Sequence, residues 1–130
     1  MAAVITEPGV VERAQGELPL TPVQILDRAI AWVEEHGWCQ RAREYQDGRV
    51  CTIGALCRGA GYSNFGSWVL PFDDSALMRA AIAVLDAIGV PGSVPAFSIP
   101  SWNDAPERTR TDVIAALSTA RRECDDLEMP

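Results

Sequence analysis

The segment from Ser75 to Ile88 is the feature that most constrains the fold. Within it only Arg79 and Asp86 are charged, and because they are seven positions apart they lie on one narrow stripe of a helix. Gly89 and Pro91 follow and end the helical pattern. A helix that is apolar on nearly all sides has to bury most of its surface, so we predict that 75–88 is the central helix of the fold.

A second helical pattern begins at a capping motif. Thr21 can cap the helix, Pro22 occupies the first helical position, where its missing N–H costs nothing, and Gln24 completes a capping box. Gly37 supplies the left-handed residue that typically ends a helix. The pattern predicts a first helix whose apolar face is made of Leu26, Ala29, Ile30 and Val33.

The segment after this helix contains a turn signal. Asp47-Gly48 lies between two short segments that can pair with each other, so we expect one small β-ribbon between the first and second helices. The chain then continues into CTIGALCRGAG, residues 51–61, which favours a short helix. Gly54 weakens that helix by about 1 kcal/mol relative to alanine, so we expect this glycine to allow the close approach of another element, most simply in a tight helix crossing.

The C-terminal part predicts the last helix. Thr109 can cap it, with Asp112 three residues later in a shortened capping box. The apolar face that follows consists of Val113, Leu117, Ala120 and Cys124.

These patterns predict a mainly α protein, a compact bundle of about four helices with the one small β-ribbon. At 130 residues the chain is long enough for one domain, which we place at 18–127 after a flexible leader at 1–17. The aromatic segment 62–74 has no clear period. We interpret it as a loop that either plugs the core or forms a lid, with its role left open.

The charge balance restricts the partners. All eleven basic residues are arginine, against eighteen acids, for a formal net charge of −7. The nearest approach to a basic stripe, Arg41, Arg43 and Arg49, is interrupted by Glu44 and Asp47 and is typical of a solvated hairpin. We therefore expect no nucleic-acid partner, because an acidic chain repels phosphate backbones. A basic or neutral protein partner fits the charge better, and the sequence indicates no oligomeric state.

The chain carries no sign of a membrane or an export route. No apolar run approaches the roughly 20 residues needed to cross a bilayer, and the N-terminus lacks a basic start followed by a long apolar region. We therefore expect a cytoplasmic protein. Its four cysteines, Cys39, Cys51, Cys57 and Cys124, should then be mostly reduced.

Three short elements together resemble a known family. They are GWCQ at 37–40, CTIGAL at 51–56 and IPSWNDAPERT at 99–109. In this order they resemble the Gly-Trp-x-Gln, Cys-x-x-Gly-Ala-Leu and Trp-Asn-Asp-x-Pro-x-x-Thr elements of a family of small proteins of unknown function found mainly in actinobacteria and their phages. The resemblance covers about residues 22–122 and implies a related fold, but it brings no activity with it.

A cysteine nucleophile is the sharpest chemical hypothesis. Cys51 stands at the expected start of a helix, where the dipole and free N–H groups favour a thiolate. His36, the single histidine, would act as the base, and Gln40, Asn103 or Asp104 could orient it. Alternatively, Cys51 is a small buried hydrophobe and His36 a solvent-facing residue near a helix C-terminus. The enzymatic alternative is a cysteine-dependent hydrolase or transferase.

Metal binding and nucleotide binding find little support. His36, Cys39, Cys51 and Cys57 total four soft ligands, but their spacing lacks the short C-x-x-C pairs of zinc sites. The glycines of residues 48–61 lack both the P-loop lysine and the dinucleotide-binding spacing. We therefore expect no metal and no cofactor.

The stretch SWNDAPERT can be a structural helix entrance or part of a binding surface. Asn103 or Asp104 can form an Asx turn, and Trp102 can bury against the central helix, so a structural role accounts for these residues. Loops on a rigid scaffold are also where binding groups are placed. Our leading hypothesis is a small accessory or interaction protein without catalysis. It would bind a protein partner or small ligand through Trp38, Gln40, Trp102, Asn103 and Asp104.

Overall fold

The computed structural model describes residues 12–13, 20–63 and 74–128. The described residues form five helices: α1 (Pro22–His36), α2 (Thr52–Gly59), α3 (Ser75–Ala87), α4 (Pro95–Asn103) and α5 (Arg110–Glu128). They also form two short strands, β1 (Glu12–Arg13) and β2 (Tyr62–Ser63). The protein is therefore mainly helical, as predicted. The rest of the expected leader at 1–17 and most of the aromatic segment 62–74 lie outside the described residues.

The predicted number of about four helices is wrong because α4 gives no helical signal. Its start at Val94 has no side-chain cap, and Pro100 lies inside it, where it removes a backbone hydrogen bond. The helix is nevertheless formed, because Pro95, Ile99 and Asn103 recur every four residues and are buried. These residues share one face, and α4 packs against α2 and α3. Tertiary burial thus overrides local preference.

The predicted ribbon between the first and second helices is also wrong. Residues 37–51, here called the connecting loop, contain two isolated bridges, Trp38 with Val50 and Glu44 with Val50. Val50 pairs on both sides with different parts of the loop, so no two segments run side by side long enough to form strands. The turn at Asp47-Gly48 does form, with Gly48 donating its N–H to the Tyr45 carbonyl. Among the described residues, the two-stranded pairing joins β1 to β2.

The start and end of α1 follow the predicted pattern. Thr21 Oγ1 accepts the Gln24 N–H at 3.1 Å, and Gln24 Oε1 accepts the Thr21 N–H at 2.9 Å, so the capping box is complete. Gly37 has a φ of 97° and donates its N–H to the Val33 carbonyl. The box at α5 is equally reciprocal, since Thr109 and Asp112 exchange hydrogen bonds of 3.0 and 3.1 Å.

The helices share one apolar core. α1 packs against α2, α3 and α5, and α3 contacts each of the other four helices. α3 still exposes a stripe of Arg79, Ile82 and Asp86, so it is not buried on all sides. The crossing of α1 and α2 is very close at Gly59, where a Cβ would collide with the Ile25 carbonyl oxygen. The predicted face of α5 is buried in this core through Val113, Leu117, Ala120 and Cys124.

Candidate functional site

The connecting loop is fixed to the helices by a buried amide. Asn103, the last residue of α4, is 0% exposed. Its Oδ1 accepts three hydrogen bonds: from Trp38 Nε1 at 2.7 Å, from the Thr52 N–H at 2.9 Å and from Thr52 Oγ1 at 2.7 Å. Among the described residues, Thr52 and Asn103 are the buried polar side chains, and they bond to each other.

The other end of the same amide is also satisfied. Asn103 Nδ2 donates to the Cys39 carbonyl at 3.1 Å and to Asp104 Oδ1 at 2.9 Å. These partners fix the orientation of the amide, because a flipped amide would direct its N–H groups at the donors of Trp38 and Thr52. We call these five residues, Trp38, Cys39, Thr52, Asn103 and Asp104, the Asn103 junction. It joins the connecting loop to the start of α2 and the end of α4.

Gln40 and Asp104 complete the attachment of the loop to α4. Gln40 Nε2 donates to the carbonyls of Asn103 at 3.0 Å and Ala105 at 2.9 Å. A helix leaves its last carbonyls without partners inside the helix, so Gln40 serves as a cap supplied by the loop. Asp104 Oδ1 in turn accepts the backbone N–H of Arg41 at 2.9 Å.

Two further contacts anchor the middle of the loop. Arg58 on α2 binds the Glu44 carboxylate through both Nε at 2.7 Å and Nη2 at 2.6 Å. Trp32 on α1 donates its indole N–H to the Gly48 carbonyl at 2.9 Å. The loop is thus held to α1, α2 and α4 by side chains rather than by strand pairing.

The three elements of the family resemblance meet at this place. GWCQ contributes Trp38 and Gln40, CTIGAL contributes Thr52, and SWNDAPERT contributes Asn103 and Asp104. CTIGAL also contains a glycine at position 54, where a Cβ would collide with a backbone carbonyl of the loop. The close approach predicted for this glycine is confirmed, although the neighbour is the loop and not a helix.

Four of the five predicted binding residues therefore lie together. Trp38, Gln40, Asn103 and Asp104 are brought within hydrogen-bonding distance of one another or of the same backbone. Trp102 stands apart from them in its contacts: it is partly buried against the core, and the Arg108 guanidinium lies 4.1 Å from the centre of its ring.

A surface cleft of about 400 Å³ opens beside the Asn103 junction. We call it the loop cleft. It is lined by Trp38, Cys39, Gln40, Arg41, Tyr45 and Arg49. Trp38 and Gln40 are among the residues predicted to bind. Arg41 and Arg49 belong to the interrupted basic stripe, for which the sequence predicts no binding.

Arg49, which lines the loop cleft, has its charge paired with a carboxylate of the same loop. The Arg49 guanidinium pairs with Asp47 at 2.9 Å and lies 4.6 Å from the centre of the Tyr45 ring. The hydrogen bond from the Arg49 backbone N–H, together with its side chain, lowers the pKa of Asp47 from its ordinary value. The positive charge of Arg49 is therefore already balanced by the Asp47 carboxylate.

Arg41, which also lines the cleft, differs from Arg49 in two ways. With a φ of 69°, it is the one non-glycine residue of the described chain in the left-handed region, which L side chains rarely adopt. Its guanidinium makes no hydrogen bond or ion pair with any described residue. Strained backbone of this kind persists where the surrounding structure imposes it, and here Asp104 holds the Arg41 N–H in place.

The arrangement around Cys51 weighs against a nucleophilic role. Cys51 caps α2, with its Sγ accepting the Gly54 N–H at 3.3 Å, but it is only 4% exposed. Burial raises its pKa to about 12, which outweighs the helix N-terminus and disfavours the thiolate.

The proposed base does not engage Cys51. His36 stacks on Trp32 with a ring separation of 3.9 Å, and its buried Nδ1 has no hydrogen-bond partner among the described residues. A thiol is activated by a hydrogen-bonded base, and this contact is not formed.

The cysteines also form no metal site within the described chain. No group of three or more histidine, cysteine, aspartate or glutamate side chains there is arranged to hold a metal ion. None of the four cysteines is in a disulfide, and all four are buried. Burial raises the pKa of Cys39 to about 11 and that of Cys57 to about 12.

Comparison with known proteins identifies the family. Residues 17–123 match DUF6197, a family of unknown function. The chain belongs to DUF6197. The range matched by DUF6197 contains α1 to α4, the connecting loop, the Asn103 junction and most of α5. No curated protein and no solved structure matches the chain. In the described part of this DUF6197 protein, no helix has the length and apolar character to span a bilayer.

Proposed function

We propose that this DUF6197 protein is a non-catalytic binding module that takes a small ligand in the loop cleft. The observation that carries the proposal is Arg41, whose backbone is held in a strained conformation by Asp104 and whose guanidinium is left without a partner in the described chain. Backbone strain of this kind is concentrated at binding sites, and Arg41 stands in a loop that lines a cleft.

The surroundings of the cleft support a binding function. Its volume of about 400 Å³ lies within the range of small-molecule sites, roughly 300–1,000 Å³. The walls are preorganised, because Asn103 fixes Trp38 and Gln40 before any ligand arrives. Preorganised walls lower the entropic cost of binding, which favours recognition without rearrangement.

The same observations give a role to the three elements that carry the resemblance. We propose that GWCQ, CTIGAL and SWNDAPERT build the Asn103 junction and thereby the cleft. Asn103 is buried with its amide fully bonded, so its part is to position the cleft walls and not to touch the ligand. We propose a cytoplasmic location with this function. It is supported by the four cysteines, none of which is in a disulfide, since a reducing compartment maintains thiols.

A ligand screen on matched variants tests the proposal. The ¹⁵N-labelled protein is titrated with a fragment library, and the backbone amide shifts of residues 38–49 are followed. Arg41→Gly removes the guanidinium and retains a residue that suits a φ of 69°. Arg79→Ala removes the same charge from the exposed stripe of α3 and is the control.

We expect at least one fragment class to cause saturable amide shifts in the wild-type protein and in Arg79→Ala. The same fragments should bind more weakly to Arg41→Gly. If the amide shifts change only when a protein partner is added, the cleft binds a protein and not a small ligand. Equal binding by Arg41→Gly would contradict the part given to Arg41.

A further inference from the structure

We infer that the ligand of the loop cleft is a small organic carboxylate, whose anionic group pairs with Arg41. This inference rests on the proposed function and adds to it the chemical class of the ligand. It follows from the way the chain uses its arginines and carboxylates.

Arginines in the described chain are mostly paired. Arg58 binds Glu44 and Arg121 binds Asp27, while other arginines bond to backbone carbonyls. Arg41 and Arg79 make no such contact with a described residue, although the chain has more acids than arginines; of these two, Arg41 lines the loop cleft. Its lack of a partner is therefore not caused by a shortage of carboxylates.

No described carboxylate forms an ion pair with the Arg41 guanidinium. Asp104 contacts the same residue, but through its backbone: Asp104 Oδ1 accepts the N–H of Arg41, together with Nδ2 of Asn103. The guanidinium is thus left for an acceptor from outside the protein. A planar guanidinium can bind a carboxylate through two parallel hydrogen bonds.

The charges around the cleft favour a monoanion over a phosphate ester. Arg41 offers one uncompensated positive charge, since Arg49 is neutralised by Asp47. A dianion would bring a second negative charge, for which the residues that line the cleft offer no further unpaired cation. A nucleic acid is disfavoured further by the net charge of −7.

Gln40 adds a second recognition element. Its Nε2 is used by two carbonyls of the α4 end, and its Oε1 bonds to no described residue. Gln40 and Arg41 line the same cleft, so a ligand with a hydroxyl next to its carboxylate can donate to Oε1 while it accepts from Arg41. A hydroxy acid carries both groups and is therefore the member of this class to test first.

Sodium lactate is the probe that tests this inference. It is titrated into the ¹⁵N-labelled protein at constant ionic strength, beside lactamide, its uncharged counterpart, and inorganic phosphate. The amides of residues 38–49 and the arginine Nε–H signals report binding. The proteins are the wild type, Arg41→Gly, Arg41→Gln and Arg79→Ala, each first checked for folding by its thermal transition.

We expect lactate to shift these signals saturably in the wild-type protein and Arg79→Ala, and at least tenfold more weakly in both Arg41 variants. Lactamide and phosphate should bind at least tenfold more weakly than lactate. Lactamide binding as tightly as lactate would overturn the carboxylate inference and leave the proposed function standing. Phosphate binding more tightly than lactate would also overturn it. A wild-type cleft that binds neither these probes nor any library fragment contradicts both proposals.

Discussion

The helix interfaces and the connecting loop are held by different interactions. In the interfaces, side chains such as Ile25, Val84 and Leu117 are 0% exposed and pack without directional requirements. The loop is held by hydrogen bonds, several of which converge on one amide, Asn103. Apolar packing is distributed over many residues and tolerates exchange of similar volumes, whereas a buried polar network fails when one member is lost. The loop should therefore be the more sensitive of the two regions.

The largest effect is expected from Asn103→Ala. This change leaves the indole N–H of Trp38, the hydroxyl of Thr52 and two backbone groups without partners in a buried place. Each buried unsatisfied group costs about 1–3 kcal/mol, so we expect the free energy of unfolding to fall by about 3–5 kcal/mol. Urea unfolding followed by circular dichroism measures it.

Gln40→Ala is the matched control for this prediction. It removes a second amide of the same loop, but Gln40 is partly exposed and water can replace it at the carbonyls of Asn103 and Ala105. We expect a loss of about 1 kcal/mol or less. Equal losses in the two variants would show that burial of the Asn103 amide is not what fixes the loop.

Thiol reactivity compares the two regions in the native protein and tests the enzymatic alternative. Burial raises the pKa of Cys51 and Cys57 from 9.0 to about 12, so at pH 8 the thiolate fraction falls about a thousandfold. We expect iodoacetamide to label both about a thousandfold more slowly in the native protein than in urea. Cys39, in the loop, has a pKa of about 11 and should react before them.

The labelled cysteines are identified by mass spectrometry, with the urea-unfolded chain as the reference. Because these pKa values are raised on folding, their contribution to stability is complete below about pH 9 and is lost as the pH rises toward the folded values. Rapid labelling of native Cys51 near neutral pH would restore the hypothesis of a cysteine nucleophile.

A smaller effect is expected at the helix interface, from Gly59→Ala. An added Cβ would collide with the Ile25 carbonyl oxygen and press on the Ala29 nitrogen of α1. Overpacking of this kind costs about 1–3 kcal/mol. The sign of the change in the free energy of unfolding is decisive, because a glycine-to-alanine change in a helix without such a neighbour would stabilise the protein by about 1 kcal/mol. A rise in the thermal transition of Gly59→Ala would therefore contradict the close crossing of α1 and α2.

The same contrast explains what the sequence could predict. Helix starts such as Thr21 and Thr109 were predictable because a capping box is a local pattern, and the buried face of α5 follows from a period of 3.6 residues. α4 was missed because its stability comes from burial of Ile99 and Asn103 against other helices, and Pro100 hides the pattern. The ribbon was predicted from the turn at Asp47-Gly48, but a turn does not determine whether its arms stay paired.

The site was predictable in part. The short elements around Trp38, Gln40 and Asn103 were picked out from their residue types, and they do meet. That the amide of Asn103 would join Trp38 to Thr52 across more than fifty residues has no local signal. The conformation of Arg41 had no local signal either: its positive φ is accompanied by a hydrogen bond to Asp104, which lies sixty-three residues later.

Hydrogen exchange of the tryptophan indoles tests the central claim most directly, that a buried Asn103 amide fixes the loop. Trp38 Nε1 donates to Asn103 Oδ1 at 2.7 Å, whereas the Trp102 indole N–H has no hydrogen-bond partner among the described residues and is the internal reference. The exchange rates are read by NMR on the native wild-type protein. We expect the Trp38 indole proton to exchange only as fast as the whole protein unfolds, and the Trp102 proton to exchange far faster. A Trp38 proton that exchanges as quickly as that of Trp102 would contradict the account.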